Sequence, residues 1–288
     1  MSAIYKREFR SYFTSMTGYV FMAAMLVFVG IYFMLYNLVS GYPYFAYILP
    51  NIVFILIIAV PILTMRCMSD ERKNKTDQMF LTYPVKVSSV ILGKFFAMMT
   101  VVLLTLLICG ICPIVIALNG NSYLLGDYIG LFAFFCLSGL FVSIGMFVSS
   151  KTENQIISAL ITFGVLLLLY WWDSLVAYIP TSATGSFVGI ILFAVVVALI
   201  LNAISRNKLL AASVGLVIVI ADIVLYLISP DMFANLLPDI LSTFSCMSTL
   251  INFTYYHVFD LSGLFMYLSL TALFIILTVL GVQKRRWC

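Results

Sequence analysis

Of the 288 residues, 64% are hydrophobic and only 9% are charged, and the mean hydropathy is +1.16; a soluble domain carries about 25% charged residues. That composition excludes a soluble globular fold, whose surface could not cover so much apolar area. The net charge of +4 does not point to nucleic acid, because no basic run is interleaved with aromatic residues on which bases could stack.

In chain order, residues 1–17 place Ile4, Tyr5, Phe9, Tyr12, Phe13 and Met16 at helical spacing, with Lys6, Arg7 and Arg10 on the other side. This predicts an amphipathic helix lying on the inner leaflet. Apolar runs long enough to cross the bilayer then follow at about 18–38, 44–65, 91–118, 128–148, 155–172, 187–201, 209–228 and 261–282, since about 20 apolar residues cross the hydrocarbon as a helix. The sixth run is the shortest. Runs such as 161–170 do not alternate apolar with polar, as strands of a barrel would. The expectation is an all-α polytopic membrane protein with about eight transmembrane helices. The first run spans and lacks a short apolar core with a small-residue cleavage site, so no cleaved signal is expected.

Cytoplasmic loops carry the excess of Lys and Arg. With the N-terminus cytoplasmic, every Lys and Arg falls on that side: Lys6, Arg7 and Arg10; Arg66, Arg72, Lys73, Lys75, Lys86 and Lys94; Lys151; Arg206 and Lys208; Lys284, Arg285 and Arg286. The outer loops hold Asp127, Asp173, Asp231, Asp239 and Asp260. Removing the sixth span alone would strand Arg206 and Lys208 outside, so the charges favour an even number of spans and a cytoplasmic C-terminus.

The longest cytoplasmic segment, 66–89, reads RCMSDERKNKTDQMFLTYPVKVSS. A helix can start at Ser69 or Asp70, with Asp70 and Glu71 near the positive end of its dipole. Met79, Phe80 and Leu81 form an apolar knob, and Pro84 ends the helix. Charge at one end and exposed Met and Phe at the other suit a socket in a soluble partner better than a plain connector.

On the outer side, 229–260 contains Pro230, Pro238 and the aromatics Phe244, Phe253, Tyr255, Tyr256 and Phe259. It is too apolar for a free loop and predicts short helices dipping into the outer leaflet. His257, the only histidine, is expected to be an interface residue rather than a ligand. Asp222 is the one clear ionisable group within a span, placed in the outer half of the seventh. It is read either as a contact in a translocation path or as a hydrogen-bonded packing residue. Cys109 and Cys112 form a CxxC inside an apolar helix and are read as packing; no disulfide or metal is assigned.

The only Gly-Lys pair is Gly93-Lys94, with Ser88 where a Walker A loop needs its first glycine and Phe95 where it needs Ser or Thr. ATP is not bound by that route. No HExxH and no pair of intramembrane carboxylates is present, which disfavours a membrane-embedded enzyme. An ion- or proton-coupled secondary transporter would want intramembrane charges and broken helices near the midplane, for which Asp222 alone offers support. A scaffold subunit without transport of its own is a further alternative.

The stretch DERKNKTDQMFLTYPVKVSSVILGK resembles the cytoplasmic loop of ABC-2 type permeases, through Glu71, Arg72, Thr76, Met79, Phe80, Leu81, Pro84, Val85, Gly93 and Lys94. IYKREFRSYFTSMTGYVF, SSKTENQIISALITFGVLLLL and LGVQKRRW agree with it, and together they resemble the gliding-motility-type branch. The resemblance implies an exporter permease in the bacterial inner (plasma) membrane with an elbow helix at 1–17, a coupling segment at 66–89 and outer re-entrant helices at 229–260. It implies a permease homodimer or heterodimer on separate ABC ATPase subunits, which bind the ATP and Mg; this chain would hold no cofactor and catalyse nothing. Glu71, Arg72, Lys73, Thr76, Asp77, Met79, Phe80, Leu81 and Pro84 would form the coupling interface, with Met79 and Phe80 as anchors and the charges at the rim. The family plan has six spans, so 187–228 reads as an added hairpin that carries Asp222.

Overall fold

The computed structural model describes residues 2–73, 87–120, 123–183, 185–187, 189, 191 and 235–286. All regular elements among these residues are helical. Helix α1 (Ser2–Thr14) is amphipathic as its spacing predicts: Tyr12 is buried, while Lys6, Arg7 and Arg10 are exposed. Rings of Tyr5, Phe9 and Phe13 follow one another along its apolar face, with centroids 6.0 and 4.9 Å apart. The chain turns at Met16, in the left-handed region at φ 62°, into α2 (Thr17–Tyr32), which continues as a π-helical stretch over Phe33–Val39. At that end the Asn37 amide donates to the carbonyls of Tyr42 and Tyr44, at 2.8 and 3.1 Å.

A 3-10 turn (Ala46–Ile48) leads into α3 (Leu49–Thr64), which has Pro61 in its interior, and then α4 (Arg66–Lys73). Helix α5 (Val87–Cys109) breaks at Gly110 and resumes as α6 (Ile111–Asn119). Helix α7 (Leu124–Lys151) runs unbroken for 28 residues, and α8 (Gln155–Tyr170) follows. Two short helices, α9 (Trp172–Ala177) and α10 (Leu236–Ser242), belong to a second compact unit, Trp171–Ser245. Within it α9 packs on α10, and the Trp172 indole donates to Leu241 O at 2.8 Å. The first unit, Met1–Tyr170 with Cys246–Cys288, is completed by α11 (Cys246–Thr254) and α12 (Leu261–Arg286).

Among the described residues five segments are long and apolar enough to cross a membrane: Thr17–Val39, Ala46–Lys73, Val87–Leu118, Leu124–Lys151 and Leu261–Lys284. They coincide with the first four and the last of the spans read from sequence. The fifth coincides with α8, shorter at 16 residues. The chain is an all-α polytopic membrane protein. The expected hairpin at 187–228, including Arg206, Lys208 and Asp222, lies outside the described residues apart from 187, 189 and 191, as does Asp231.

Helix α7 is the axis of the first unit. It packs against α3, α5, α8, α11 and α12 and is buried along most of its length. Lipid tails are as apolar as leucine, so association of spans relies on close packing, which small residues permit. Gly130, Ser138, Gly139, Ser143 and Gly145 are buried along α7. A Cβ at Gly145 would fall inside contact distance of the Thr64 side chain on α3, whereas one at Gly164 meets nothing. By contrast α12 keeps Phe265, Leu268, Leu273 and Ile276 exposed, as a lipid-facing helix does. Accordingly Gly145→Val should destabilise the protein by about 1–3 kcal/mol and lower its melting temperature in detergent, while Gly164→Ala does not lower it.

Candidate functional site

The segment that sequence singles out begins with α4, and successive side chains of this helix reach different parts of the bundle. It starts at Arg66, three residues before Ser69, because its first turn is capped from another helix. The Ser149 hydroxyl of α7 accepts from the backbone N–H groups of Met68 and Ser69, each at 3.2 Å. Those are among the N–H groups that a helix start leaves without an internal acceptor. Ser69 Oγ also lies 3.0 Å from Ser149 Oγ. Asp70 accepts from the Gln155 side-chain amide at the start of α8.

Glu71 Oε2 is 2.7 Å from Lys94 Nζ, and its Oε1 is 3.5 Å from Arg7 Nη2 on α1. Lys94 is only 1% exposed, and its ammonium also donates to Cys67 O at 2.6 Å. An ammonium taken out of water needs an opposite charge and hydrogen bonds to offset the lost hydration; Glu71 and Cys67 O supply both. Arg72 is buried as well and donates from Nη1 to Ser150 O at 2.6 Å, one of the carbonyls at the end of α7 where positive charge complements the helix dipole.

Helix α1 closes the other side. Tyr5 OH and Thr100 Oγ1 of α5 are 2.9 Å apart, and Tyr12 is buried near Cys67, with its phenol pushed well above its usual range by that burial and further by the nearby Cys67, Glu8 and Glu71.

Glu71 and Arg72, expected at the rim of a docking surface, are both engaged within the chain. Lys73 is exposed. Thr76, Asp77, Met79, Phe80, Leu81 and Pro84 lie outside the described residues. What sequence reasoning missed is Lys94 and Ser149. Lys94 reads as a loop-side cation but sits inside the bundle, and the one signal available was its position next to Gly93 at the start of a long apolar run.

Four of the described basic residues lie at this end of α7. Arg7, Lys94 and Arg72 meet around α4, and Lys151, at the end of α7, lies close to Gly281 of α12 and over the Phe147 ring. This polar cluster joins α4 to α1, α5, α7 and α8.

A comparison with protein families matches residues 2–286 to the family described as ABC-2 family transporter protein. The chain belongs to the ABC-2 transporter family. Neither a curated protein nor a solved structure matches it. As an ABC-2 family member it is a multi-pass membrane component of a transporter, of the permease type and without catalytic activity of its own.

The Lys94–Glu71 pair yields a specific test. Lys94→Met alone, which leaves the Glu71 carboxylate without its buried cation, should cost about 3 kcal/mol. Lys94→Met combined with Glu71→Met should recover a large part of that loss, read as melting temperature in detergent. Strictly additive losses in the two single variants and the double variant would show that the groups do not act as a pair.

Proposed function

We propose that this ABC-2 family member is the membrane-spanning permease of an exporter powered by a separate ABC ATPase subunit, which binds the ATP and Mg and docks on the segment after the second span. The observation that carries the reading is the attachment of α4. A push on a loosely tethered loop would dissipate in the loop. Here Ser69, Asp70, Glu71 and Arg72 are bonded to α7, α8, α5 and α1, so force applied just beyond Lys73 reaches the spans directly.

In this mechanism Met79, Phe80 and Leu81 are apolar anchors in a socket of the ATPase, and Pro84 ends the docking helix. Lys73, Thr76 and Asp77 line the rim, where charges set orientation and association rate more than affinity. Glu71 and Arg72, facing inward, hold the base of the lever. Closure of the ATPase dimer moves α4 together with the ends of α5, α7 and α8, and a hinge or shear between spans passes the motion to the outer side. Two permeases, identical or different, form the membrane unit, set in a bacterial inner membrane. The TENQ stretch Thr152–Gln155 and the closing QKRRW support placement in the gliding-motility-type branch. Asp222 is a candidate contact in the path.

Replacing Met79 and Phe80 together with Asp should abolish both transport and co-purification of the ATPase while leaving membrane insertion intact. An unchanged amount of co-purified ATPase would contradict the docking assignment.

A further inference from the structure

Helix α7 runs beside the second span, Ala46–Lys73, at a constant interval in sequence. Asp127 Oδ1 accepts from the Ala46 N–H at 2.8 Å and Ser149 Oγ from the Met68 N–H at 3.2 Å, and the partners of each bond are 81 residues apart. Two glycines of α7 keep the same interval between these bonds. A Cβ at Gly130 would meet Leu49 Cδ1 at 3.4 Å, and one at Gly145 would fall on the Thr64 side chain. A constant interval means that the two helices run parallel and in register. Ala46 and Met68 stand as far apart along one helix as Asp127 and Ser149 along the other, about 33 Å at 1.5 Å per residue. Pro61 lies inside the second span, yet the interval is 81 on both sides of it, so the register survives the proline.

The two end bonds are made alike. In each, a side chain of α7 accepts from a backbone N–H in the first turn of a helical element, the 3-10 turn Ala46–Ile48 at one end and α4 at the other. Such N–H groups have no acceptor within their own helix. Asp127, read from sequence as an outer-loop residue, stands in the first turn of α7 and is fully buried, as are Ala46 and Ser149. The ring of His257, between α11 and α12, packs against Tyr44, Tyr47 and Tyr123 with centroids 5.1, 6.0 and 5.5 Å away, and Gly126 backs it so closely that a Cβ there would lie 2.8 Å from Nδ1. Water does not replace a hydrogen bond lost in so enclosed a place.

Sliding one helix past the other by a turn, about 5.4 Å, would break both end bonds and lift Leu49 and Thr64 away from the glycines that admit them. The pair is locked along its length. Beyond Ala46 the chain leads to Tyr44 and Tyr42, whose carbonyls accept from Asn37 in the π-helical end of α2.

We propose that Asp127 is a positioning residue for transport: it pins the 42–46 segment to α7, so that the locked pair, fastened to α4 through Ser149, delivers the displacement of α4 to the far end of α2. This role rests on the exporter reading for the source of the displacement, whereas the lock is a property of this chain alone.

The lock is measured first on the full-length permease in lipid nanodiscs without an ATPase. Spin labels at Lys73 and Leu125, exposed residues at opposite ends of the pair, give a distance by pulsed electron paramagnetic resonance, and hydrogen exchange is followed at 44–49. The unaltered protein should show one narrow distance and slow exchange. Asp127→Ala should broaden the distance and speed exchange at 44–49 about tenfold. Asp127→Asn, whose amide oxygen can still accept from the Ala46 N–H, should behave as the unaltered protein does. In the complex with the ATPase, the Lys73–Leu125 distance should be the same with and without ATP in the unaltered protein and depend on ATP in Asp127→Ala. Because the first comparison needs no ATPase, failure of the lock and failure of the exporter reading are told apart. Four outcomes would overturn the proposal: a broad or double distance in the unaltered permease, an Asp127→Ala variant like the unaltered protein in both readouts, fast exchange at 44–49 in Asp127→Asn, or a distance that shifts on ATP binding in the unaltered complex. Should Asp127→Ala fail to fold, Asp127→Asn and the unaltered protein decide through the remaining three.

Discussion

An ammonium cannot be left bare in a low-dielectric interior, and that constraint on Lys94 organises the basic end of the molecule. At 1% exposure it needs an anion and acceptors close by; Glu71 Oε2 at 2.7 Å and Cys67 O at 2.6 Å meet the need. Both belong to α4, so satisfying one cation fixes a whole short helix against α5. Once α4 is held there, Ser69 meets Ser149, Asp70 meets Gln155 and Arg72 meets the last carbonyls of α7. The same Glu71 reaches α1 through Arg7. Helix α4 is therefore a projection of the bundle.

The two ends of α7 are built from different chemistry. From Asp127 to Lys151 a continuous helix covers about 36 Å, and α7 is unbroken over its 28 residues. One end is an ion-paired cluster, the other a tyrosine box closed around an imidazole. The helices beside it are not continuous: α3 carries Pro61, and α5 stops at Gly110 before α6 resumes. Proline removes a helical hydrogen bond and is a common origin of kinks. A rigid axis flanked by interrupted helices suits a transporter in which a push at one end rearranges the packing of the other. The close approach of Thr64 to Gly145 places α3 and α7 in direct contact near α4.

Much of this was legible in the sequence because the controlling quantities are local. Bilayer thickness sets the length of an apolar run, so spans were readable without knowing what they pack against, and α1 was readable because its aromatics recur at helical spacing opposite Lys6, Arg7 and Arg10. Pairings across the chain were not. Glu71 and Arg72 stand in a charge run that looks solvated, and their partners are distant in sequence: Arg72 bonds to Ser150, 78 residues on. His257 had no local signal either, since its ring neighbours Tyr44, Tyr47 and Tyr123 lie far from it in sequence. The start of α4 moved from Ser69 to Arg66 for the same reason, as its capping hydroxyl belongs to α7.

The central claim is that α4 moves as one body with the ends of the spans it is bonded to when the transporter cycles. Spin labels at Lys73 and Glu153, both exposed, report on it directly by pulsed electron paramagnetic resonance in the permease assembled with the proposed ATPase subunit in nanodiscs. The account predicts the same Lys73–Glu153 distance distribution in the nucleotide-free and ATP-bound states. A shift of that distribution on ATP binding would mean that α4 swings independently of α8, and would contradict it.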